Sequence, residues 1–159
     1  MNAAVDPALV AMTYPPNRGS LGRLPLLLDM METEHFSGRC ACGQTTFQLE
    51  ARTACALCYC DACRHVSGGL GMAWVDGLRA SLVMQGPVSR WRSSTHAYRH
   101  FCSVCGTQLL LVEDEGGDVV EIAVGALQAQ ERISVDHESY RDSLPAWVAT
   151  LRPGQRDSS

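Results

Sequence analysis

The chain has 159 residues, 46% of them hydrophobic and 19% charged, with a net charge of −4 and a pI near 5.7. Such a length and composition fit one globular domain with a core of its own and exclude a pair of ordinary domains or a disordered polyelectrolyte. The acidic balance shows no basic stripe for gripping phosphate, so no nucleic acid is expected as a partner, and all 13 basic residues are arginine, which excludes a Schiff base on lysine.

Residues 1–30 carry Pro7, Pro15, Pro16 and Pro25, no cysteine and no periodicity. The apolar run at 24–28 is far too short to span a membrane and lacks the features of a signal peptide. The expectation is a disordered N-terminal extension over 1–30, with Met30 or Met31 as an alternative start, followed by a zinc domain over 31–159. From Gly38 onward the pattern is of short strands and tight turns. Residues 45–50 alternate. Residues 82–85 lead into a Gly86-Pro87 turn, with 88–94 as the second arm of a hairpin. Residues 107–112 and 119–124 flank a turn-rich loop at 114–118 and predict another hairpin. Two short helices are predicted, over 63–66 and 143–151. There is no βαβ repetition and no internal repeat, so the fold class is mainly β, with sheets pinned by metal.

The eight cysteines fall in clusters whose spacing suits chelation better than disulfides, which two residues so close would form only under strain. A reduced, cytoplasmic, metal-bound chain is expected. In Cys102-x-x-Cys105-Gly106 both sulfurs face one side of a turn, and the glycine permits the positive φ that the turn needs. Cys40 and Cys42 are two apart on an extended segment and share a face. Together these four sulfurs fill a tetrahedral zinc, and a filled site is structural by default. The middle cluster, Cys58-x-Cys60-x-x-Cys63, supplies three sulfurs and leaves one coordination position for water or a thiol. Arg64 follows at the start of a predicted helical turn, where its charge favours thiolate over thiol. A thiol bound at an open metal position loses its proton, so the middle cluster suits a thiol substrate better than hydrolysis. One alternative stays open: Cys55 lies three residues before Cys58 and, if it joins as a fourth ligand, closes the second site into a structural one. His35, His65, His96, His100 and His137 read as ordinary structural residues.

In order, the sequence carries Gly38-Arg39-Cys40-Ala41-Cys42-Gly43, Cys58-x-Cys60-x-x-Cys63-Arg64, Gly68, Ala73-Trp74-Val75, Ser93-Ser94 and Arg99-x-Phe101-Cys102-x-x-Cys105-Gly106-Thr107. This run resembles the glutathione-dependent formaldehyde-activating enzyme family, which includes centromere protein V, over about residues 36–127. The resemblance implies an Mss4-like fold of folded antiparallel sheets and two Zn²⁺ per chain. It places a structural zinc on Cys40, Cys42, Cys102 and Cys105 and a catalytic zinc on Cys58, Cys60 and Cys63. It implies a carbon–sulfur lyase-type reaction on thiol–carbonyl adducts, with glutathione and formaldehyde as the small thiol and carbonyl. Arg64 and Tyr59 are expected beside the charge of the bound thiol; Tyr59 stands where the family often has histidine, and Cys55 is an additional thiol. The alternative function is a non-catalytic two-zinc module that binds a protein partner, with both sites closed.

Overall fold

A computed structural model describes residues 32–113 and 117–150. The expectations for residues 1–30 lie outside the described residues. Among these, no helix is long and apolar enough to cross a membrane.

The organising element is β2 (Thr46–Cys58), a strand of 13 residues. Its length lets it take four partners. Along one side lie β1 (Thr33–Arg39), antiparallel, and then β9 (Ser134–Ser139), parallel. Along the other lie β4 (Val83–Gln85) and β3 (Met72–Leu78), both antiparallel. The sheet continues from β3 through β8 (Val119–Ala123), β7 (Gln108–Glu113) and β6 (Ala97–Cys102) to β5 (Val88–Arg92). The result is the mainly-β antiparallel architecture of an Mss4-like fold, with one α-helix, α1 (Asp61–Ser67), among the described residues.

Period-2 patterning sorts the strand residues onto two faces. One face builds the main core, where Phe47, Leu49 and Ala51 of β2 meet Val75 of β3, Ile122 of β8 and Leu110 of β7. Each large side chain buried there contributes about 1.5–3 kcal/mol of transfer free energy. The opposite face carries a second, smaller cluster. Trp74 lies across from Ala123 in the β3–β8 register, and both pack with Cys63 against Cys58, Cys60, Met72 and Leu111. This second face is where α1 sits.

The predicted hairpin over 107–124 is present as β7 and β8. The predicted hairpin over 82–94 is not. β4 pairs with β2 and β5 with β6, so the Gly86-Pro87 turn carries the chain from one part of the sheet to another. The reason lies in what the turn touches. A Cβ on Gly86 would stand 2.1 Å from the Gln44 carbonyl, and Pro87 O accepts hydrogen bonds from Thr45 Oγ1 and from the Ser103 amide. Gly86-Pro87 therefore docks between two distant segments, and its local turn chemistry is not spent on joining adjacent strands. The helix predicted over 63–66 starts earlier, as α1. Over 143–150, the described part of the second predicted helix, the chain forms 3₁₀ turns, Arg141–Ser143 and Ala146–Thr150, in place of a helix; residue 151 lies outside the described residues.

Candidate metal centres

All eight cysteines are free thiols. Cys40, Cys42, Cys102 and Cys105 bring four sulfurs within 4.8 Å of one another. Two turns of the same design hold them. In the first, Gly43 N donates to Cys40 O at 3.0 Å and Cys40 N to Thr45 O at 2.9 Å. In the second, Gly106 N donates to Cys102 O at 2.9 Å and Cys102 N to Thr107 O at 3.0 Å. Gly43 and Gly106 both have φ of 76°, a conformation glycine adopts without a steric penalty. The Thr107 hydroxyl joins the two turns, accepting from Ala41 N at 3.0 Å and standing 3.1 Å from Cys105 Sγ.

The donor set fits a tetrahedral soft cation. Zinc–sulfur bonds of about 2.3 Å place tetrahedral sulfurs about 3.8 Å apart, and Cys42 Sγ lies 3.4 Å from Cys40 Sγ and 3.9 Å from Cys102 Sγ. These separations are far too long for a disulfide bond. Backbone amides aim at the sulfurs, as Thr45 N does at Cys40 Sγ over 3.2 Å. The hydroxyl and amide of Thr107 and the amide of Cys42 bring the Cys105 thiol down to about 5. For Cys42 the Gln44 amide pulls down, but hydrogen bonding among the crowded sulfurs pushes the thiol up to about 12. Thiols this close share their protons as a group, which a cation displaces together.

The middle cluster is built differently. Cys58 ends β2, and Cys60 caps α1 with extended dihedrals (φ −62°, ψ 159°), its sulfur accepting from Cys63 N at 3.4 Å. Cys63 lies one turn into the helix. The three sulfurs lie within 4.8 Å of one another, and no fourth His, Cys, Asp or Glu of the described residues joins them. Cys63 is buried, while Cys58 and Cys60 are half-buried. Its sulfur accepts from the Trp74 indole at 3.4 Å and from Arg99 Nη2 at 3.5 Å. Burial pushes the Cys63 thiol up to about 11, against the lowering pull of Trp74 and Arg99. The three sulfurs suit a soft cation with one position left to an outside ligand.

Cys55 is not brought into this group. An odd spacing of three along β2 turns it to the face opposite Cys58, where it pairs with Val75 in register and is 4% exposed within the main core. Arg64 and Tyr59 are near the trio in sequence but hold the chain's C-terminal segment. Arg64 donates to Ser143 O and pairs with Asp61. Tyr59 OH donates to Glu138 Oε1 at 2.8 Å, and its amide donates to Ser139 O. The side chains that reach the sulfurs are Trp74 and Arg99. Both stand in the quoted motif run, but nothing in their spacing revealed that strands β3 and β6 would aim them at Cys63.

The sequence model of one family, described as "Glutathione-dependent formaldehyde-activating enzyme", matches residues 35–143. No curated protein matches the chain. Among solved structures, a crystal structure of a Rhodobacter sphaeroides protein is similar with a TM-score of 0.53 and 18% identity, over 65% of this chain and 99% of that one. At that identity the likeness shows the fold.

Proposed function

Since this chain belongs to the glutathione-dependent formaldehyde-activating enzyme family, we propose that it is a zinc-dependent carbon–sulfur lyase-type enzyme that makes and breaks adducts of a small thiol with a small carbonyl. The observation that carries this reading is the trio Cys58, Cys60 and Cys63, three sulfurs gathered without a fourth ligand among the described residues. In it, Cys40, Cys42, Cys102 and Cys105 hold a structural zinc, and the trio holds the catalytic one. Bound zinc supplies a position at which a thiol is held as thiolate beside its electrophile.

The chemistry balances without a redox partner. A thiol adds to the carbonyl carbon, a C–S bond forms, the C=O π bond opens, and the thiol proton ends on the new hydroxyl. With glutathione and formaldehyde the product is S-hydroxymethylglutathione. The chain contributes by position. The α1 cap fixes Cys60 and Cys63 one helical turn apart, and β2 brings Cys58 alongside. Trp74 and Leu111 floor the cluster and keep water from its buried side. Tyr59 keeps its proton in the hydrogen bond to Glu138, which with burial holds its pKa above the usual phenol, and so ties β9 alongside the cluster. The absence of lysine spares the protein the side-chain amine that formaldehyde attacks most readily.

The test is Cys60→Ala against wild type, with metal content measured alongside exchange between free and thiol-bound formaldehyde by NMR. Two zincs in the wild type with exchange above the uncatalysed rate, and one zinc with no enhancement in a folded Cys60→Ala protein, are expected. A wild type that leaves exchange at the uncatalysed rate with every low-molecular-weight thiol offered would overturn the reading. It would favour a non-catalytic module that binds a protein partner.

A further inference from the structure

Arg99 is the most anomalous side chain of the second face. It is 3% exposed, yet among the described residues no carboxylate forms an ion pair with it, and its Nε has no hydrogen-bond partner. Its contacts are soft: Nη2 to Cys63 Sγ at 3.5 Å, Nη1 to Met72 Sδ at 3.9 Å, and the guanidinium over the Trp74 ring at 5.3 Å. A buried, unpaired guanidinium costs several kcal/mol unless a counter-charge repays it. Glu121 feels Arg99 only as a weak opposing pull on its raised pKa. The charge that faces Arg99 at hydrogen-bond distance is the sulfur of Cys63.

We infer that Arg99 is the positioning residue of the three-sulfur centre, its buried guanidinium fixing Cys63 and balancing the charge of three thiolates on one divalent cation. The inference rests on the reading of the trio as a metal site for a thiol substrate, and formal charges give it content. Three thiolates and a divalent cation sum to −1, which Arg99 brings to zero. A substrate thiolate then takes the centre to −1; without Arg99 the same step would end at −2 in a half-buried site. Arg99 therefore favours both retention of the metal and entry of an anionic fourth ligand. The ring of Trp74 under the guanidinium and its N–H on the same sulfur lock the geometry, as outer-shell donors do in metal sites. Arg64 cannot substitute, because its guanidinium is engaged by Asp61 and Ser143.

The experiment compares full-length Arg99→Met and Arg99→Lys with wild type by chelator competition. Cobalt(II) replaces zinc as a reporter, because its thiolate charge-transfer bands count occupied sites. Arg99→Met should weaken the second site by about 10–100-fold, the usual effect of losing an outer-shell partner, and leave the four-cysteine site unchanged. Arg99→Lys should recover at least half of that loss on a logarithmic scale. Glutathione, added as the probe thiol, should perturb the cobalt bands at higher concentration in Arg99→Met than in wild type. In a Cys60→Ala background, where the trio no longer holds metal, Arg99→Met should raise Tm, since it removes a buried charge left without its counter-ion. A merely structural arginine would lower Tm in both backgrounds.

Unchanged second-site affinity in Arg99→Met overturns the inference. So does a loss in Arg99→Lys as large as in Arg99→Met; if Arg99→Met does not fold, a second-site loss in Arg99→Lys of more than about 10-fold against wild type overturns it instead. Because affinity is read without turnover, a protein that loses metal in Arg99→Met but never accelerates the thiol–carbonyl reaction would sink the proposed activity and leave Arg99 in its role.

Discussion

Cys55 decides whether the second centre is open, and its position makes the answer measurable. Replacing it with alanine removes one sulfur from the main core, where Cys55 is 4% exposed beside its register partner Val75 of β3. The lost transfer term is about 0.8 kcal/mol for an atom of methylene size. A residual cavity of roughly 20 Å³ adds about 0.5 kcal/mol at ~24 cal/mol per Å³. Together they destabilise the domain by about 1.3 kcal/mol, which shifts Tm by about 3–5 °C for a chain of this size. The metal count should stay at two per chain, by elemental analysis on freshly purified protein, because the Cys55 sulfur faces the core and Cys58 faces α1. Counting fast-reacting thiols alone would mislead: burial hides Cys55 and raises its thiol, so a free Cys55 is as silent as a ligated one. Loss of one metal equivalent in Cys55→Ala would refute the assignment and close the second site.

Two further expectations follow from the same geometry. Cys105→Ala should leave no stably folded domain, by circular dichroism and by loss of both metals, because a structural zinc is worth about 10–16 kcal/mol against a total stability of about 5–15 kcal/mol; a folded variant still carrying a metal on Cys40, Cys42 and Cys102 would count against a structural site. Glu121→Gln should raise Tm at pH 8 and do progressively less as pH falls towards 5. Burial, with Asp76 and Glu113 adding to it, holds the Glu121 carboxyl above its ordinary range. Its folded form therefore prefers the proton, and stability present at low pH is lost as pH rises through the raised value. A Tm difference that shrinks towards pH 8 would refute this.

The cysteine clusters were legible because the geometry of chelation writes itself as spacing. Cys40 to Cys42 and Cys102 to Cys105 are local turns, and their glycines announce the conformation. β7 and β8 were legible for a similar reason, since a loop of turn residues separates two apolar runs. What stayed hidden is whatever depends on distant segments. β9 is exposed along nearly its whole length, so it shows no alternation, and it becomes a strand only because β2 is long enough to offer it an edge. The segment at 82–94 has the chemistry of a hairpin but is captured by β2 and β6. The side of β2 on which Cys55 falls was readable from odd spacing alone. It became decisive only once the strand was seen to run unbroken to Cys58. Arg99 was hidden for the deepest reason: a buried cation has no local signature, and its partner is 36 residues away.

The two cysteine turns of the first centre are each a local structure, but 60 residues separate Cys42 from Cys102. Bringing their ends together from an open chain costs about 3–4 kcal/mol of closure entropy. During synthesis at about 5–20 residues per second, the first turn leaves the ribosome several seconds before the second. For that interval the nascent chain presents half a binding site, two thiolates able to hold an ion loosely and unable to finish. The supply of a bound metal would then bear on when the sheet closes as well as how firmly. Where the metal is scarce, that closure would rest on the pairing of β3 with β8 and of β8 with β7 alone.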